Sequence, residues 1–322
     1  MNKLFHVLTD EGTGFVLHAL DDNIGVETAY LSILSRPVCA VFVDQQVQIG
    51  AQAVVLQLLD KALQAGVPVL FLFSSDEVLA TSVDAVAWQK ALVRLSGVCP
   101  VLAVVEKDAG EMASALLPFS DFCIYASGSH ECTGSVIQAL DLPDAIENLR
   151  TLLSFLPLNC AENAPHSAQN EQKAGSKKRE KTAKDALHQI ADQASVYDLY
   201  TDGHGKMSFA RINGRSVGVI ASEQETLPNH AARFVQFCDC YSLPLIVIAE
   251  HALSLNLQQV FMLSQATIPV IGIGNMTSIL SMIDAHAELD AETLPFDIRQ
   301  ALEYLSVKRD VLPPHKHGNM PL

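Results

Sequence analysis

The segment PVLAVVEKDAGEMASALLPFSD, from Pro100 to Asp121, reads as a buried strand that leads directly into a helix. Its apolar run ends in charged residues, and Ala109 and Gly110 form a turn before helical spacing begins. The first backbone N–H groups of a helix have no partner inside it, so such a turn can hold a negatively charged oxygen. Here a carboxylate, that of Glu111, directly follows the glycine.

Length and charge narrow the classes of protein to consider. The chain has 322 residues, enough for two domains with separate cores. It carries 36 acidic and 21 basic side chains, and the formal net charge of -15 repels nucleic-acid phosphates and anionic lipid. The apolar runs are also well short of the ~20 residues that span a bilayer. We therefore expect no nucleic-acid partner and no membrane insertion.

The N-terminus and the cysteines point to a reducing compartment. The opening MNKLFHVLTDEG lacks the apolar stretch of a signal peptide. The seven cysteines are scattered, mostly inside apolar runs, without a C-x-x-C pair or metal-finger spacing. These features predict reduced cysteines, no bound metal and a soluble, cytoplasmic protein.

The same pattern of three strands occurs twice along the chain. The first copy consists of RPVCAVFV (36–43), GVPVLFLF (66–73) and CPVLAVV (99–105). The second consists of GRSVGVI (214–220), SLPLIVIA (242–249) and IPVIGIG (268–274). In both copies the later strands open on a proline, which can be the first residue of a strand. Their unbroken apolar runs indicate burial on both faces of a sheet.

Helical spacing between these strands completes an α/β pattern in each half. The apolar positions that predict helices are Ala53, Leu56, Leu59 and Leu63 in the first half and Ala232, Phe234, Val235, Phe237 and Cys238 in the second. Residues 163–186 are almost without large apolar side chains, which predicts a flexible polar linker. The predicted domains are therefore 1–162 and 187–322.

Four phrases carry a more specific resemblance. They are NLRTLLSFLPLNCAENAP (148–165), MSFARINGRSVGVIASEQ (207–224), NHAARFVQFCDCYSLPLIVIAE (229–250) and KRDVLPPHKHGNMPL (308–322). In them, the chain resembles the carboxyltransferase, or β, subunits of biotin-dependent acyl-CoA carboxylases and the related methylmalonyl-CoA decarboxylases. The resemblance covers most of the chain from about Ser35 onward. It implies two crotonase-like domains in tandem, in agreement with the internal repeat.

The resemblance also implies a reaction and its partners. Family members transfer a carboxyl group between carboxybiotin and the α-carbon of an acyl-CoA, neither of which we expect to be bound tightly here. Two oxyanion sites are needed, one for the enolate of the thioester and one for the urea oxygen of biotin. Each is made of backbone N–H groups at a glycine-rich turn, one per half, across a dimer interface. The implied partners are a biotin carrier and a full-length carboxyltransferase subunit, in a homo- or hetero-oligomer.

The turn of the first half, Ala109 to Met112, departs from the Ala-Gly-Gly-Ala pattern of the family. The candidate catalytic residues left are Gly110, Glu111 and Met112, which offer a residual backbone oxyanion turn. At ~4 Å and an effective dielectric near 20, Glu111 would repel an enolate oxygen by roughly 4 kcal/mol, unless its side chain turns to solvent. One oxyanion donor supplies a similar amount, roughly 3–4 kcal/mol. The alternative is that Glu111 is an ordinary first-turn acid favoured by the helix dipole.

Four further segments depart from the family at loops that face substrate. They are the turn Gly274–Thr277 in place of a Gly-Gly-Ala turn and a longer segment, the short Glu250–Gln259 in place of a lid, Ser74–Glu77 in place of a glycine-rich stretch, and the shortened Gly134–Glu147. Loops can be trimmed at little cost in stability, whereas deletions in the core are expensive. The pattern is that of a chain that keeps its core and loses its substrate loops.

Other motifs have ordinary interpretations. His315 and His317 form an H-x-H pair, but they lie in the family-like tail, where packing or docking explains them. The segment 202–205 reads as a plain turn, and GIGN at 272–275 is too short for a dinucleotide fingerprint. Adjacent side chains in 127–130 point apart on an extended chain, so a Ser-His catalytic pair is not expected there.

These observations predict a carboxyltransferase-type subunit with weakened or lost catalysis, a pseudoenzyme that acts as a partner in a carboxylase or decarboxylase assembly. Two alternatives stay open. One is an active carboxyltransferase that uses the Gly110 turn. The other is a biotin-independent, homo-oligomeric binding module on the same scaffold.

Overall fold

The computed structural model of the chain describes residues 3–19, 25–44, 46–48, 50–73, 78–79, 85–127, 136–167, 182–289 and 291–309. These residues form two compact units, one within Met1–Glu162 and the other within Asn163–Lys316. Each unit is built around its own sheet, flanked by helices. The α/β class that the sequence predicts is confirmed.

The first unit alternates strands with helices after an initial hairpin. Its elements are α1 (Lys3–Leu8), β1 (Val16–Ala19), β2 (Val26–Ile33), β3 (Arg36–Val43), β4 (Gln46–Val47), α2 (Gly50–Ala65), β5 (Val69–Phe73), β6 (Val78–Leu79), α3 (Ala85–Leu95), β7 (Val101–Val105), α4 (Glu111–Leu116), the 3₁₀ turn η1 (Leu117–Phe119), β8 (Phe122–Tyr125), β9 (Val136–Gln138) and α5 (Leu142–Phe155). The main sheet has the order β1-β2-β3-β5-β7-β8-β9, and β4 pairs with β6. From β3 to β9 the strands are parallel, so their carboxyl ends meet at one edge.

The second unit repeats this plan with fewer elements. They are α6 (Ala183–Ile190), β10 (Tyr197–Thr201), β11 (Gly205–Ile212), β12 (Arg215–Ser222), α7 (Ala231–Cys240), β13 (Leu245–Ala249), α8 (Leu257–Gln265), β14 (Val270–Gly274), the 3₁₀ turn η2 (Leu280–Met282), β15 (Ala285–Ala287) and α9 (Leu294–Arg309). The sheet order is β10-β11-β12-β13-β14-β15, parallel from β12 onward. Taken in this order, the six strands β10 to β15 correspond to β1, β2, β3, β5, β7 and β8 of the first unit. Among the described residues β9 has no equivalent in this unit.

Both faces of each sheet are covered by helices. In the first unit α2, α3 and α4 share a core with one face of the sheet, which encloses Trp88, and α5 contacts β8. In the second unit α6 and α9 share a core with one face, and α7 packs on the other against Gly218. The central strands β5, β7, β13 and β14 are fully buried and contain no polar side chain.

Prolyl carbonyls begin the parallel ladder in both units. The carbonyls of Pro68 and Pro100 each accept a hydrogen bond from the amide of the neighbouring strand at 2.9 Å. Those of Pro244 and Pro269 accept the equivalent bonds at 2.8 and 2.9 Å. Each proline stands one position before its strand, where a missing N–H leaves no ladder bond unmade. The two copies thus share their register at the level of single hydrogen bonds.

A carboxylate closes the equivalent hairpin in each unit. Asp10 accepts hydrogen bonds from the backbone N–H groups of Leu34 at 2.8 Å and Ser35 at 2.6 Å, between β2 and β3. Asp192 makes the same pair of bonds to the tip between β11 and β12, at 3.0 and 2.7 Å. These bonds satisfy backbone donors that the hairpin leaves outside its ladder.

Several predicted details differ from the structure. The buried residues of α2 are Ala51, Val55, Leu58, Leu59 and Ala62, whereas the spacing indicated Ala53, Leu56, Leu59 and Leu63. Helix α2 has apolar residues on more than one face. Helical periodicity alone therefore does not identify the face that packs against the sheet. The segment Gly134–Glu147 is more than a shortened loop, because β9 and the first turns of α5 lie in it.

The predicted linker 163–186 is also ordered at both described ends. Helix α6 begins at Ala183, which is fully buried and whose N–H donates to Glu250 Oε1 at 2.7 Å. At the other end, Ser167 N–H donates to the Gly214 carbonyl at 3.0 Å. Both ends therefore belong to the second unit, and residues 168–181 lie outside the described residues. None of the described helices has the length and apolar character that crossing a bilayer requires.

The close approach of α7 to β12 predicts that Gly218→Ala destabilises the second unit. A Cβ at this position would lie 2.5 Å from Cys238 Sγ and 3.2 Å from the Phe234 ring. Overpacking of this kind costs roughly 1–3 kcal/mol. We expect the urea midpoint of the second unit, followed by circular dichroism, to fall accordingly.

Gly203→Ala is the matched control, because nothing lies within 4 Å of a Cβ there. Its unfolding free energy should stay within about 0.5 kcal/mol of the wild type. The single tryptophan, Trp88, lies in the first unit, so its fluorescence should report an unchanged transition in both variants. Equal losses in the two variants would contradict close packing of α7 on β12.

The Asp10 hairpin closure predicts a pH-dependent contribution to stability. Burial alone would raise the pKa of Asp10. The N–H groups of Ser35 and Leu34 and the Arg150 guanidinium favour the charged form more strongly, so the pKa lies below its usual value. The carboxylate stabilises the fold fully above the pKa of an unfolded aspartate, about 3.9, and this contribution is lost as the pH falls through the lower folded-state pKa.

Asp10→Asn should therefore lower the free energy of unfolding by about 1–2 kcal/mol near pH 7, since hydrogen bonds to a charged group are replaced by weaker ones. The gap to wild type should shrink below about pH 4, as measured by urea titration of Trp88 fluorescence. Asp60→Asn is the control, because Asp60 and Arg94 are paired at 2.8 Å with side chains 51% and 59% exposed. If the difference in unfolding free energy between Asp10→Asn and the wild type did not change with pH, the electrostatic contribution would be disproved.

Candidate functional site at the carboxyl ends of the strands

The predicted strand-turn-helix of the first unit is present. β7 leads through a short turn into α4, and Gly110 stands immediately before the helix in an extended conformation, φ -73° and ψ -166°. Its carbonyl accepts the first helical bond, from Ser114 N–H at 2.9 Å. The start of the turn is fixed because Glu106 N–H donates to the Phe73 carbonyl at 3.0 Å.

The three predicted site residues have different environments. The side chain of Glu111 is exposed, and that of Met112 is fully buried in the core of the first unit. Met112 can therefore contribute only its backbone N–H to a site. The first N–H groups of α4 have no acceptor within the helix. The oxyanion role of Gly110, Glu111 and Met112 stays a prediction, since 74–77 and 128–135, which follow the neighbouring strands, lie outside the described residues.

A cleft opens at the same edge of the second unit. Ala249 and Gly274, the last residues of β13 and β14, lie side by side in the sheet. The cleft beyond them has a volume of about 810 Å³. Its lining includes Glu250, His251, Asn275, Leu280, His286 and Glu288. The carboxyl ends of parallel strands are where α/β sheets bind ligands, so this cleft is the second candidate site.

The backbone at the base of the cleft depends on a glycine. Gly274 has φ +89°, and a Cβ there would lie 2.3 Å from the Ala249 carbonyl oxygen. The next residue, Asn275, donates its N–H to that same carbonyl at 2.9 Å. Its side-chain oxygen accepts from the Thr277 hydroxyl, which leaves the Asn275 NH₂ group as a donor.

His286 is held in one orientation. Its Nε2 lies 2.8 Å from the Gly274 carbonyl oxygen, which can only accept. Nε2 is therefore the donor in this bond, and in the tautomer with its proton on Nε2 the other ring nitrogen, Nδ1, is an acceptor. Sequence reasoning missed His286 and Glu288, because the three residues of β15 form no distinct apolar run. The available signal was Asp284, whose carboxylate accepts from Val270 N–H at 2.9 Å, just as Asp121 accepts from Val101 N–H at 2.8 Å.

The two units differ in the segments that follow the equivalent strands β7 and β14. In the first, β7 is followed by α4. In the second, residues 275–284 between β14 and β15 contain only the three-residue 3₁₀ turn η2. A helix N-terminus that could present several parallel N–H groups is therefore found after β7 and is missing after β14.

Other chemical groups in the described residues have structural roles. Burial raises the pKa of the Cys39 and Cys99 thiols to about 12, so neither is a nucleophile near neutral pH. The predicted turn 202–205 is present, since Asp202 accepts from the His204 N–H at 2.8 Å. No group of three or more His, Cys, Asp or Glu side chains in the described part of the chain is arranged to hold a metal. His315, His317 and residues 128–130 lie outside it.

The geometry of the cleft predicts that Gly274→Ala is strongly unfavourable. The substitution combines a left-handed backbone conformation with a clash against backbone, so we expect a loss of about 2 kcal/mol or more in the unfolding free energy of the second unit. Gly203→Ala, measured in parallel by circular dichroism, is again the control. A Gly274→Ala protein as stable as wild type would show that the turn after β14 has a different path.

Comparisons with known proteins agree with this architecture. A family model described as carboxyl transferase domain matches residues 132–252. The 12S subunit of methylmalonyl-CoA carboxyltransferase from Propionibacterium freudenreichii subsp. shermanii is 26% identical over 286 residues, which cover 70% of this chain and 55% of that subunit. The propionyl-CoA carboxylase beta chain of Roseobacter denitrificans is 27% identical over 128 residues, 33% of this chain and 25% of the relative. The chain thus matches about half the length of the first relative and a quarter of the second.

A solved structure supports the same fold. The transcarboxylase 12S structure with hydrolysed methylmalonyl-coenzyme A has a TM-score of 0.78 to this chain at 21% identity, covering 100% of this chain and 92% of that one. At this identity the likeness concerns the fold. The sequence matches make the chain similar to the carboxyltransferase subunits of methylmalonyl-CoA carboxyltransferase and propionyl-CoA carboxylase, with a carboxyl transferase domain matched over residues 132–252. The structural match confirms the predicted crotonase-like fold.

Proposed function

We propose that the chain is a carboxyltransferase-type subunit in which transfer between two sites is weakened or lost, and that it acts as a partner in an acyl-CoA carboxylase or decarboxylase assembly. Acyl-CoA and carboxybiotin are the ligands that such an assembly handles. The related 12S protein is described as a hexamer in a multienzyme core. By analogy, the partners proposed here are a biotin carrier, a full-length carboxyltransferase subunit or further copies of this chain.

The observation that carries the proposal is the difference between the turns after β7 and β14. Carboxyl transfer develops negative charge on two oxygens, that of the thioester enolate and that of the biotin urea. Preorganised N–H donors must meet both. A helix begins after β7, whereas the described residues 275–284 after β14 contain no α-helix whose N-terminus would supply such donors. The strands, their register and the packing helices are retained in both units, which favours a role in assembly.

The active carboxyltransferase is the second candidate, and one observation favours it. The strand-turn-helix at Gly110 is present, and the Glu111 side chain beside it is exposed. Solvent screens an exposed carboxylate, so its repulsion of an enolate oxygen is weaker than the sequence alone suggested. A single acyl-CoA site in the first unit would follow from this arrangement.

The proposal is tested by purifying the tagged full chain from its own host and then assaying it. We expect it to elute with a biotinylated polypeptide or a full-length carboxyltransferase subunit, detected by streptavidin blotting and mass spectrometry. We also expect no transfer of ¹⁴C-carboxyl from methylmalonyl-CoA to free biotin by the chain alone. Purification without such a partner, together with label transfer, would establish the active enzyme instead.

The Glu111→Gly variant tests the first unit independently of the second, because it restores the Ala-Gly-Gly pattern of the family in the first unit alone. We expect it to tighten propionyl-CoA binding by up to about tenfold through the loss of like charge, without producing label transfer. Glu11→Gly removes a charge from another exposed turn of the first unit and should leave propionyl-CoA binding unchanged. Label transfer by the Glu111→Gly protein would mean that the second unit still has a working oxyanion site.

A further inference from the structure

The cleft of the second unit is lined mainly by acceptors of hydrogen bonds. Glu250 and Glu288 contribute carboxylates, and His286, in the tautomer with its proton on Nε2, contributes Nδ1. Only one oxygen of Glu250 is engaged by the Ala183 N–H, at 2.7 Å. The side-chain donors beside these acceptors are the NH₂ of Asn275 and a ring N–H of His251. A ligand that fits this lining must itself supply donors.

The charge of the lining selects against anions. Two carboxylates face the cleft, and none of the residues that line it in the described part of the chain is Lys or Arg. The chain as a whole has a formal charge of -15, which adds a field of the same sign. Phosphates and carboxylates are therefore repelled, whereas an ammonium group is attracted and finds acceptors for its three N–H donors.

The cleft also has an apolar wall. Leu280 is 58% exposed, and it lines the cleft with Leu289 and Met276. Covering such side chains is favourable by roughly 25 cal/mol per Å² of apolar surface. Carboxylates on one side and aliphatic side chains on the other match a molecule with a cationic head and a short hydrocarbon tail.

We propose that this cleft binds a small primary amine, as the ammonium ion, with an aliphatic segment attached. The ammonium lies between Glu288, Glu250 and Nδ1 of His286, and the aliphatic segment packs on Leu280 and Leu289. This ligand class differs from the anionic acyl-CoA and carboxybiotin of the proposed function. The proposal does not depend on whether carboxyl transfer is retained.

The test uses the full-length protein and n-hexylammonium as the probe. The ring C–H resonances of His286, assigned with a His286→Gln variant, are followed by NMR during titration. We expect a saturable shift with n-hexylammonium and none with hexanoate, which has the same chain length and the opposite charge. Affinity should fall as salt screens the carboxylates, and ethylammonium should bind more weakly because it lacks the tail.

Two matched variants test whether a carboxylate of the cleft contributes to the binding of n-hexylammonium. Glu288→Gln should weaken n-hexylammonium binding about three- to fivefold, in the range of an exposed charge pair. Glu303→Gln removes an exposed charge from α9, outside the cleft, and should leave binding unchanged. Leu280→Ala should reduce the preference for hexylammonium over ethylammonium without altering the discrimination against hexanoate.

Three results would overturn the proposal. The first is the absence of any saturable shift of His286 with n-hexylammonium. The second is tighter binding of hexanoate or propionyl-CoA at His286, which would assign the cleft to anions. The third is equal weakening by Glu288→Gln and Glu303→Gln, which would show attraction by the overall charge alone. Because the proposed function is judged by co-purification and label transfer, its failure and the failure of this proposal are distinguishable.

Discussion

The pairing of backbone groups in strands that are buried on both faces is the constraint on which the rest of the structure depends. Such strands have no water to satisfy their N–H and C=O groups, so every one must find its place in the ladder. The carbonyls of Pro68, Pro100, Pro244 and Pro269 begin that ladder at equivalent points in the two units. With the starting register fixed, the carboxyl ends of the parallel strands align. Within each unit, the turns that follow them, including the candidate site of that unit, lie at that edge.

Differences between the units are concentrated at that edge, where the ladder no longer constrains the chain. Turns can be rebuilt there without breaking buried hydrogen bonds, and shortening them costs little entropy. This explains how the helix after β7 and the simple turn after β14 can follow nearly identical strands. It also explains how one scaffold can hold the strand-turn-helix at Gly110 in the first unit and an acidic cleft around His286 in the second. Such differences between turns need no change in the core.

Much of the fold could be predicted from the sequence, because burial on both faces leaves continuous apolar runs that need no tertiary knowledge to recognise. β3, β5, β7, β12, β13 and β14 contain such runs, and helical spacing of apolar residues predicts the helices between them. Short edge strands were missed. β9 and β15 have three residues each and lack a distinct run, so only their pairing partners define them. The turn at Gly110 was predictable from one glycine after a strand, whereas the cleft was not, since His286 and Gly274 are brought together by a strand pairing.

The central claim is that the path from Gly274 to Asp284 forms no α-helix and so presents no row of parallel N–H groups to the cleft. A crystal structure of the purified chain tests it most directly. The account predicts a turn at Asn275, one 3₁₀ turn at Leu280–Met282 and the Gly274 carbonyl bonded to His286. An α-helix in this segment, with its first N–H groups directed into the cleft, would contradict it.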